Sequence, residues 1–278
     1  MIKNYFRPVL SGIFIGLMLV YPQNSTLAAR HALASFASGV LPALFPFTAC
    51  MLLLTAGRAF PLPVLLTLSL LGGSPTGARI LSEAAPDPAA ARRLARATGT
   101  MSPMFFLSTM QFWLGSEKQG LLLLGCHLFS AIIFAVPLLR CQSSRIMLPP
   151  LSISAALLQS AQAMLTVAGC ITLGSVGARL VCCLFPHLPA LPLALLQSAF
   201  EVTSGCQSLI AAAPDCLLPL LCFFTAFSGL SILLQNAAFW GKQGVTLTNL
   251  TFFGLLRGGI AFLLCFVILL CHPALFAV

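Results

Sequence analysis

The chain is built from nine apolar segments separated by short polar turns. They lie near residues 9–21, 34–56, 62–81, 98–114, 120–139, 153–177, 191–212, 215–240 and 249–270. A helix of about 20 apolar residues crosses the roughly 30 Å hydrocarbon core of a bilayer. No soluble domain of useful size fits between these segments, so the pattern predicts an all-α polytopic membrane protein.

Two of the segments, 62–81 and 191–212, contain residues that do not continue an ordinary helix. The interruptions are GGSPTG at 72–77 and EVTSG at 201–205. In lipid, a broken helix is tolerated only where the break is buried in protein or lines a wet cavity. Arg79 follows the first break, and an ionisable residue at membrane depth indicates a functional site. The alternative is a surface turn with Arg79 reaching the lipid headgroups.

Composition agrees with a membrane location. The chain is 59% hydrophobic and 7% charged, whereas soluble domains carry roughly 25% charged residues. Its net charge of +9 comes from fourteen Lys and Arg against five Asp and Glu, an excess that first indicates membrane orientation. The apolar composition makes the lipid bilayer the expected partner. Because no basic run is interleaved with aromatic residues, we do not expect nucleic acid as a partner.

The cysteines and histidines carry no metal-binding motif. The eleven cysteines show no C-x-x-C pair and no Cys/His spacing typical of zinc. Most lie in apolar segments, where cysteine behaves as a small hydrophobe. The four histidines are scattered and are expected to pack near segment ends. The sequence therefore predicts neither a metal site nor a cofactor.

The first segment follows Lys3 and Arg7 and has two interpretations. It is either a signal peptide with a poor cleavage site at residues 26–29 or an uncleaved first helix. We expect the uncleaved helix, because multi-span proteins often use their first span as the signal. Both interpretations place Arg30 outside.

The order of the segments repeats. The predicted units are an N-terminal helix at 1–30, a first repeat at 31–147 with its broken segment near 62–82, and a second repeat at 148–278 with its broken segment near 190–212. Overlaying the repeats matches Gly77 with Gly205 and Arg79 with Gln207. Interrupted segments at matching places in two halves indicate a transporter's binding site.

The positive-inside rule bears on the number of crossings. If all nine segments crossed, the loop with Arg92, Arg93 and Arg96 would lie outside, together with Arg140 and Arg145. If both broken segments are re-entrant hairpins, most cations become cytoplasmic: Lys3, Arg7, Arg58, Arg92, Arg93, Arg96, Arg140, Arg145 and Lys242. The cations left outside are Arg30, Lys118 and Arg179.

The predicted architecture is therefore about seven crossing helices plus two re-entrant helical hairpins. The N-terminus is cytoplasmic and the C-terminus is outside. Each half has three crossings, and an odd number makes the second half an inverted repeat of the first. The two opposed hairpins should then meet near the midplane.

Three motifs, in order, resemble the sporulation integral membrane proteins of the YlbJ/SpoVV type, which belong with the nucleoside-recognition (Gate) domain membrane proteins. GSPTGAR at 73–79 resembles the family's S-G-Y-P-T-G-A-K, and FEVTSGC at 200–206 resembles L-E-I-T-x-G. AFSGLS at 226–231, with Gln235, resembles S-F-G-G-L-S followed by a polar position. The resemblance extends from about Ala34 onward. It departs at 97–103, where ATGTMSP lacks the Asn and Cys of the family's C-N-x-x-G-P.

The resemblance implies a bacterial inner-membrane transporter or channel-like protein. Spore-forming relatives are associated with moving dipicolinic acid across a forespore membrane, and other Gate-domain proteins with nucleosides or ions. Resemblance alone does not determine the substrate.

Polar residues at the breaks form the predicted site. Arg79 is expected to bind a substrate carboxylate. Glu201 is expected to couple transport to protons or ions, with Arg79 as its alternating partner; a purely structural ion pair is the alternative. The hydroxyl groups either bind substrate or satisfy the broken backbone, and those near Gln235 could instead join helices. The predicted substrate-binding residues are Ser74, Thr76, Gly77, Arg79, Ser102, Thr203, Ser204, Gly205, Ser228, Ser231 and Gln235.

Three further residues are predicted to lie at membrane surfaces. Arg257, near the start of the last segment, is expected to snorkel to the cytoplasmic side. Trp113 and Trp240, at segment ends, are expected in the interfacial aromatic belts.

The leading functional hypothesis is a transporter of a small organic anion, dipicolinate-like, or of a nucleoside-like solute. The alternative is a non-transporting scaffold or a subunit of a larger membrane complex; a homo-oligomer also stays open. An intramembrane enzyme is disfavoured because the sequence has no intramembrane Asp pair, no H-E-x-x-H and no Ser/His pairing.

Overall fold

The apolar pattern folds almost entirely into helices. The structure, a computed structural model, describes residues 2–140 and 145–272, with no described side chains at 2–7 and 140. The predicted external C-terminus and the predicted cytoplasmic side chains of Lys3, Arg7 and Arg140 lie outside this description.

The two halves contain similar sets of helices. In the first half these are α1 (Ile2–Val20), α2 (Pro22–Ser35), α3 (Leu41–Thr55), α4 (Leu62–Gly72), α5 (Thr76–Glu83), α6 (Pro88–Leu94), α7 (Gln111–Leu114) and α8 (Glu117–Ala135). In the second half they are α9 (Ile153–Leu184), α10 (Ala190–Phe200), α11 (Val202–Ala212), α12 (Leu217–Phe227), α13 (Gly229–Trp240) and α14 (Leu247–Cys271). Two short strands, β1 (Ala59–Phe60) and β2 (Ile146–Met147), pair antiparallel.

Within the described residues, five helical units are long and apolar enough to cross a membrane. They are Pro22–Thr55, Glu117–Leu139, Ile153–Leu184, Leu217–Gln243 and Leu247–Cys271. The protein is therefore an all-α polytopic membrane protein. Two of the seven predicted crossings differ from this description: the apolar part of α1, Pro8–Val20, is shorter, and the segment 98–114 is not a continuous helix.

The segment 98–114 combines non-helical chain with short helical turns. Residues 98–102 are non-helical, Phe105–Met110 is a π-helix and α7 adds one turn. At about 3.3 Å per extended residue and 1.5 Å per helical residue, the segment reaches about 35 Å at most. That length suffices for a hydrocarbon core of about 30 Å, so the segment can still cross.

The second predicted segment begins earlier than expected. The helix starts at Pro22 rather than near Ala34, because a proline in the first helical turn lacks only an N–H that would have had no partner there. A π-helix at Phe36–Val40 interrupts it just before Pro42, and prolines and π-bulges are both causes of helix kinks. Residues 26–29, the alternative cleavage site, lie inside this helix.

Both broken segments fold back as hairpins. Their four arms have only 8 to 11 residues each. In each hairpin a glycine of the second arm touches a serine of the first: a Cβ added to Gly77 would overlap Ser69, and one added to Gly205 would overlap Ser198. Residues seven or eight apart in a straight helix are separated by about 10 Å or more. The chain therefore reverses direction at each break.

The long helices of the two halves pack antiparallel. Asn24, near the start of Pro22–Thr55, accepts hydrogen bonds from Arg179, near the end of α9. Further along, Phe36 packs with Val167, which lies earlier in α9. The matching helices thus run in opposite directions, as an inverted repeat requires.

Helices α8 and α14, the last of each half, are also antiparallel. Cys126 lies near Cys265, and the rings of Phe134 and Phe253 are 5.9 Å apart. The chain therefore advances along α8 while it runs backward along α14. This second pair confirms the inverted arrangement.

Candidate functional site

The two hairpin tips reach the same helix, α13, inside the bundle. At the first tip, the Ser74 hydroxyl donates a hydrogen bond to Asn236 Oδ1 at 3.1 Å. At the second tip, Val202 N lies 3.3 Å from the Cβ position of Gly229. Positions 229 and 236 are two turns apart on α13, so the tips are separated by about 10 Å along that helix. The tips thus face a common region, as the inverted repeat predicts.

The first tip packs on the non-helical stretch 98–102. Ser74 N donates to Thr100 O at 2.7 Å. Gly73 has a φ of +61°, and an added Cβ there would overlap the backbone of Ser102, so the close approach requires glycine. Ser74 and Ser102 of the predicted site are therefore brought together.

Thr76 and Gly77 serve the packing of the first hairpin. The Thr76 hydroxyl lies 2.8 Å from the Thr48 hydroxyl of α3 and is fully buried. Gly77 provides the contact with Ser69. These contacts match the interpretation in which polar groups at a break satisfy one another rather than a ligand.

Side chains from the second half bind the carbonyl groups of the stretch 98–102. Arg257 donates to the carbonyl oxygens of Thr98 and Gly99, and Ser228 also donates to Gly99. Arg257 is only 2% exposed. The prediction that it snorkels to the cytoplasmic surface is wrong, because its guanidinium replaces helical hydrogen bonds that this stretch lacks.

Two other buried rings support the same stretch. Met101 N donates to His127 Nε2 at 3.1 Å, and Trp240 Nε1 donates to Thr98 Oγ1 at 3.1 Å. His127 is 1% exposed and Trp240 is fully buried. The predictions of interfacial positions for His127 and Trp240 are therefore wrong, because each ring has a backbone or hydroxyl partner in the interior.

Arg79 lies on the flank of the first hairpin. Its Nε is 3.1 Å from a Glu83 carboxylate oxygen. Its terminal nitrogens donate to the backbone oxygen and the side-chain Oε1 of Gln159, near the start of α9. The Arg79 side chain is 12% exposed. Its role as a substrate ligand stays a prediction.

Glu201 caps the second arm of the second hairpin. Its carboxylate accepts hydrogen bonds from Thr203 N at 3.0 Å and Ser204 N at 2.7 Å. The residue is 3% exposed. An acidic side chain is favourable at a helix N-terminus because the free N–H groups and the helix dipole both attract it.

Glu201 and Arg79 do not face each other. Glu201 Cβ lies 3.4 Å from the Cβ position of Gly174 on α9, whereas Arg79 contacts Gln159 on the same helix. The two contact points are about four turns apart, or about 22 Å. The expected pairing of Glu201 with Arg79 is therefore wrong, because the hairpins contact α9 at different depths.

A cavity of about 380 Å³ with both polar and apolar walls lies beside the second tip. Glu201, Thr203 and Ser204 of the predicted site line it. Further polar residues that the sequence reasoning did not assign to the site also line it: His31, Ser35, Ser175, Arg179, Gln197, Gln207 and Ser208. One signal for these residues was present in the sequence: the overlay of the two repeats matched Gln207 with Arg79, which was predicted to bind substrate.

Arg179 is the cation of this cavity. Its Nε and a terminal nitrogen donate to Asn24 Oδ1 at 3.1 and 2.7 Å. The single ion pair between described residues joins Arg79 and Glu83, so Arg179 has a neutral partner there.

The remaining predicted residues lie around the second tip and on α13. Gly205 contacts Ser198 within the hairpin. Ser231 is 1% exposed, lies against Gly174, and its hydroxyl has no hydrogen-bond partner among the described residues. Gln235 is 3% exposed. The structure therefore divides the predicted set between the first tip, the cavity and the buried face of α13.

Three thiols converge from separate helices. The sulfur atoms of Cys126, Cys222 and Cys265 lie within 4.8 Å of one another, and all three residues are buried. Three thiol ligands could hold a soft ion such as Cu(I). Sequence spacing could not reveal this group, because each thiol comes from a different helix.

No family model, curated protein or solved structure matches this chain. The resemblance to the sporulation membrane proteins therefore stays a prediction. The function has to follow from the geometry of the hairpins and the cavity.

Proposed function

We propose that this protein is a membrane transporter of a small organic anion, and that the solute binds in the cavity beside the second hairpin tip. The observation that carries the proposal is the pair of opposed hairpins whose tips reach α13 about 10 Å apart. Inverted-repeat transporters place their substrate sites near the midplane, at the ends of discontinuous helices. The resemblance suggests a dipicolinate-like or nucleoside-like solute and a bacterial inner or forespore membrane.

The charge of the cavity supports an anionic solute. Arg179 is bound to the neutral amide of Asn24, so its charge is available to a carboxylate. An arginine fork binds a carboxylate through two parallel charge-assisted hydrogen bonds. Gln207 and Ser208 add polar groups to the lining of the same cavity.

Glu201 supports coupling to protons. Its carboxylate occupies the N–H groups at the start of α11, the position at which a helix attracts an anion. An anionic solute in the cavity would lie close to this negative charge, which makes Glu201 the candidate coupling residue.

Uptake into liposomes tests the proposal. Purified protein is reconstituted and offered dicarboxylates, dipicolinate and nucleosides, with and without an imposed pH gradient. Arg179→Gln should weaken the apparent affinity for the transported anion by up to about fivefold, because Arg179 is exposed and an exposed ion pair contributes at most about 1 kcal/mol. Lys118→Gln is the matched control, because it removes an exposed cation that does not line the cavity.

Glu201→Gln separates binding from coupling. This variant should retain exchange between equal solute pools and lose its response to the gradient, because the amide cannot carry the proton. Equal gradient dependence in wild type and variant would remove Glu201 as the coupling residue. An unchanged affinity in Arg179→Gln would move the anion site elsewhere, with Arg79 as the next candidate.

A non-transporting scaffold is the second candidate. It is favoured by the first tip, where Ser74 and Thr76 are bound to protein groups. Absence of flux for every solute in the panel, with folded and correctly inserted protein, would support it.

A further inference from the structure

A second cavity, of about 440 Å³, lies beside the beginning of α14. We call it the arginine pocket. Its charged, polar and aromatic lining residues are Arg92, Arg93, Arg96, Asn249, Phe252 and Phe253. Because α14 is long and apolar enough to span a bilayer, a pocket at its first two turns lies at the depth of the lipid headgroups.

The pocket gathers three exposed cations. Arg92 and Arg93 lie in the last turn of α6, and Arg96 lies in the helical turn that follows. The Arg96 guanidinium carbon is 4.9 Å from the centre of the Phe253 ring, a distance typical of a cation–π contact. None of the three forms an ion pair with a described carboxylate, since the ion pair between described residues is Arg79–Glu83.

Asp87 is the acidic group nearest to these arginines in the chain. Its carboxylate caps α6 and accepts hydrogen bonds from Ala89 N and Ala90 N, each 2.8 Å long. The hydrogen bond from Ala90, with that from Ala89 and the charges of Arg93 and Arg92, lowers the pKa of Asp87. Asp87 therefore stays ionised at neutral pH and offsets one of the three positive charges, which leaves the pocket cationic.

An apolar path leads away from the pocket along α14. Phe252, Leu256 and Leu263 are 56%, 41% and 62% exposed. They share one face of the helix because they are separated by four and seven residues. Gly259 lies between them, and no atom lies within 4 Å of its Cβ position. This face forms an exposed apolar strip that begins at the arginine pocket.

We propose that the arginine pocket binds the phosphate headgroup of an anionic phospholipid, with an acyl chain along the exposed face of α14. Guanidinium groups match phosphate geometry bidentately. Basic pockets between membrane helices bind multiply charged headgroups such as cardiolipin. The site is separate from the proposed solute cavity, which shares no lining residue with it.

Native mass spectrometry of the full-length protein in neutral detergent tests the assignment. The protein is offered cardiolipin, phosphatidylglycerol or phosphatidylcholine, and bound lipids are counted per chain. Wild type should retain one anionic lipid in preference to phosphatidylcholine. The triple variant Arg92→Gln, Arg93→Gln, Arg96→Gln should bind about a hundredfold more weakly, or about fivefold per arginine.

The matched control removes three cations from outside the pocket. Arg58→Gln, Arg145→Gln, Lys242→Gln changes the net charge equally at positions predicted on the same side of the membrane, and it should keep the wild-type affinity. Equal losses in the two triple variants would show non-specific attraction and overturn the proposal. Thermal unfolding verifies folding, and the single variant Arg92→Gln replaces the triple one if the latter fails to fold.

A competition experiment distinguishes binding of a lipid headgroup from binding of a free anion. Leu256→Ser should weaken cardiolipin binding without changing the affinity for inorganic phosphate, because Leu256 lies on the exposed apolar face of α14 and does not line the arginine pocket. Inorganic phosphate at an equal concentration should leave the lipid bound. Displacement by phosphate at that concentration would make the pocket a free-anion site and overturn the lipid assignment.

Discussion

Arg257 has a structural role although it is a charged residue in a membrane-spanning helix. Its guanidinium donates to the carbonyl oxygens of Thr98 and Gly99, and one terminal nitrogen lies 3.5 Å from the backbone carbonyl oxygen of Arg96. Carbonyl dipoles thus replace the carboxylate that usually accompanies a buried cation. Arginine carries five N–H donors, and Arg257 supplies the carbonyl groups of Thr98 and Gly99, whereas Ser74 N donates to the next one, Thr100 O.

Replacing Arg257 by Met should therefore destabilise the protein. The substitution removes the Arg257 donor of the Thr98 carbonyl and one of the two side-chain donors of the Gly99 carbonyl. Each lost hydrogen bond to a charged group costs about 1.5–3 kcal/mol. Thermal unfolding in detergent measures the effect. Arg58→Met, which changes an exposed arginine, is the control and should unfold within a few degrees of wild type. Equal midpoints for both variants would show that Arg257 does not support the stretch 98–102.

The depth of a charged residue could not be predicted from its place in a segment. Arg257 and Trp240 lie near segment ends in the sequence yet are buried, because the non-helical stretch 98–102 lies beside them and supplies polar partners. Glu201 was recognised as important from its position at a break. Its actual partners are the two N–H groups that follow it, which is a local effect that the preference of acids for helix N-termini could have indicated.

The hairpins are the elements that the sequence predicted best. The predicted segments near 62–82 and 190–212 agree with Leu62–Glu83 and Ala190–Ala212. The signals were local, since glycine, proline and an isolated charge stand out in an apolar background. The path of 98–114 was harder to predict, because its non-helical start is stabilised by side chains more than a hundred residues away.

Gly205→Ala should separate the arms of the second hairpin. The added methyl group would overlap the backbone of Ser198, and overpacking of this kind costs about 1–3 kcal/mol. Gly169→Ala on α9 is the control, because no atom lies within 4 Å of its Cβ position and alanine favours a helix by up to about 1 kcal/mol. Unfolding midpoints should move in opposite directions. A stabilised Gly205→Ala protein would contradict the tight hairpin.

At the scale of the whole molecule, the inverted repeat joins the two halves into one bundle. Each long helix of one half packs against its counterpart from the other, at Asn24 with Arg179 and at Phe134 with Phe253. The sequence indicated the inversion through charge counting, combined with the overlay of the two broken segments. The contacts between halves could not be predicted, because apolar segments carry little information about which faces meet.

Cysteine labelling tests the orientation of the bundle. In a cysteine-free background, Arg93→Cys and Arg145→Cys should react with a membrane-impermeant reagent from the cytoplasmic side alone, because the positive-inside rule places both loops there. Arg30→Cys should react from the outside alone. Labelling of positions 93 and 145 from outside would instead indicate that the broken segments cross.

The non-helical stretch 98–102 also sets an order on biosynthesis. The side chains that donate to its carbonyl groups, Ser228 and Arg257, come from the second half, and Arg257 is on the last helix. While the ribosome is still making the second half, the carbonyl groups of Thr98 and Gly99 lack these donors, and unpaired carbonyl groups are not tolerated in lipid. The nascent chain must therefore keep this stretch beside water or the insertion machinery until α14 emerges, so that the final helix completes the dry interior of the first half.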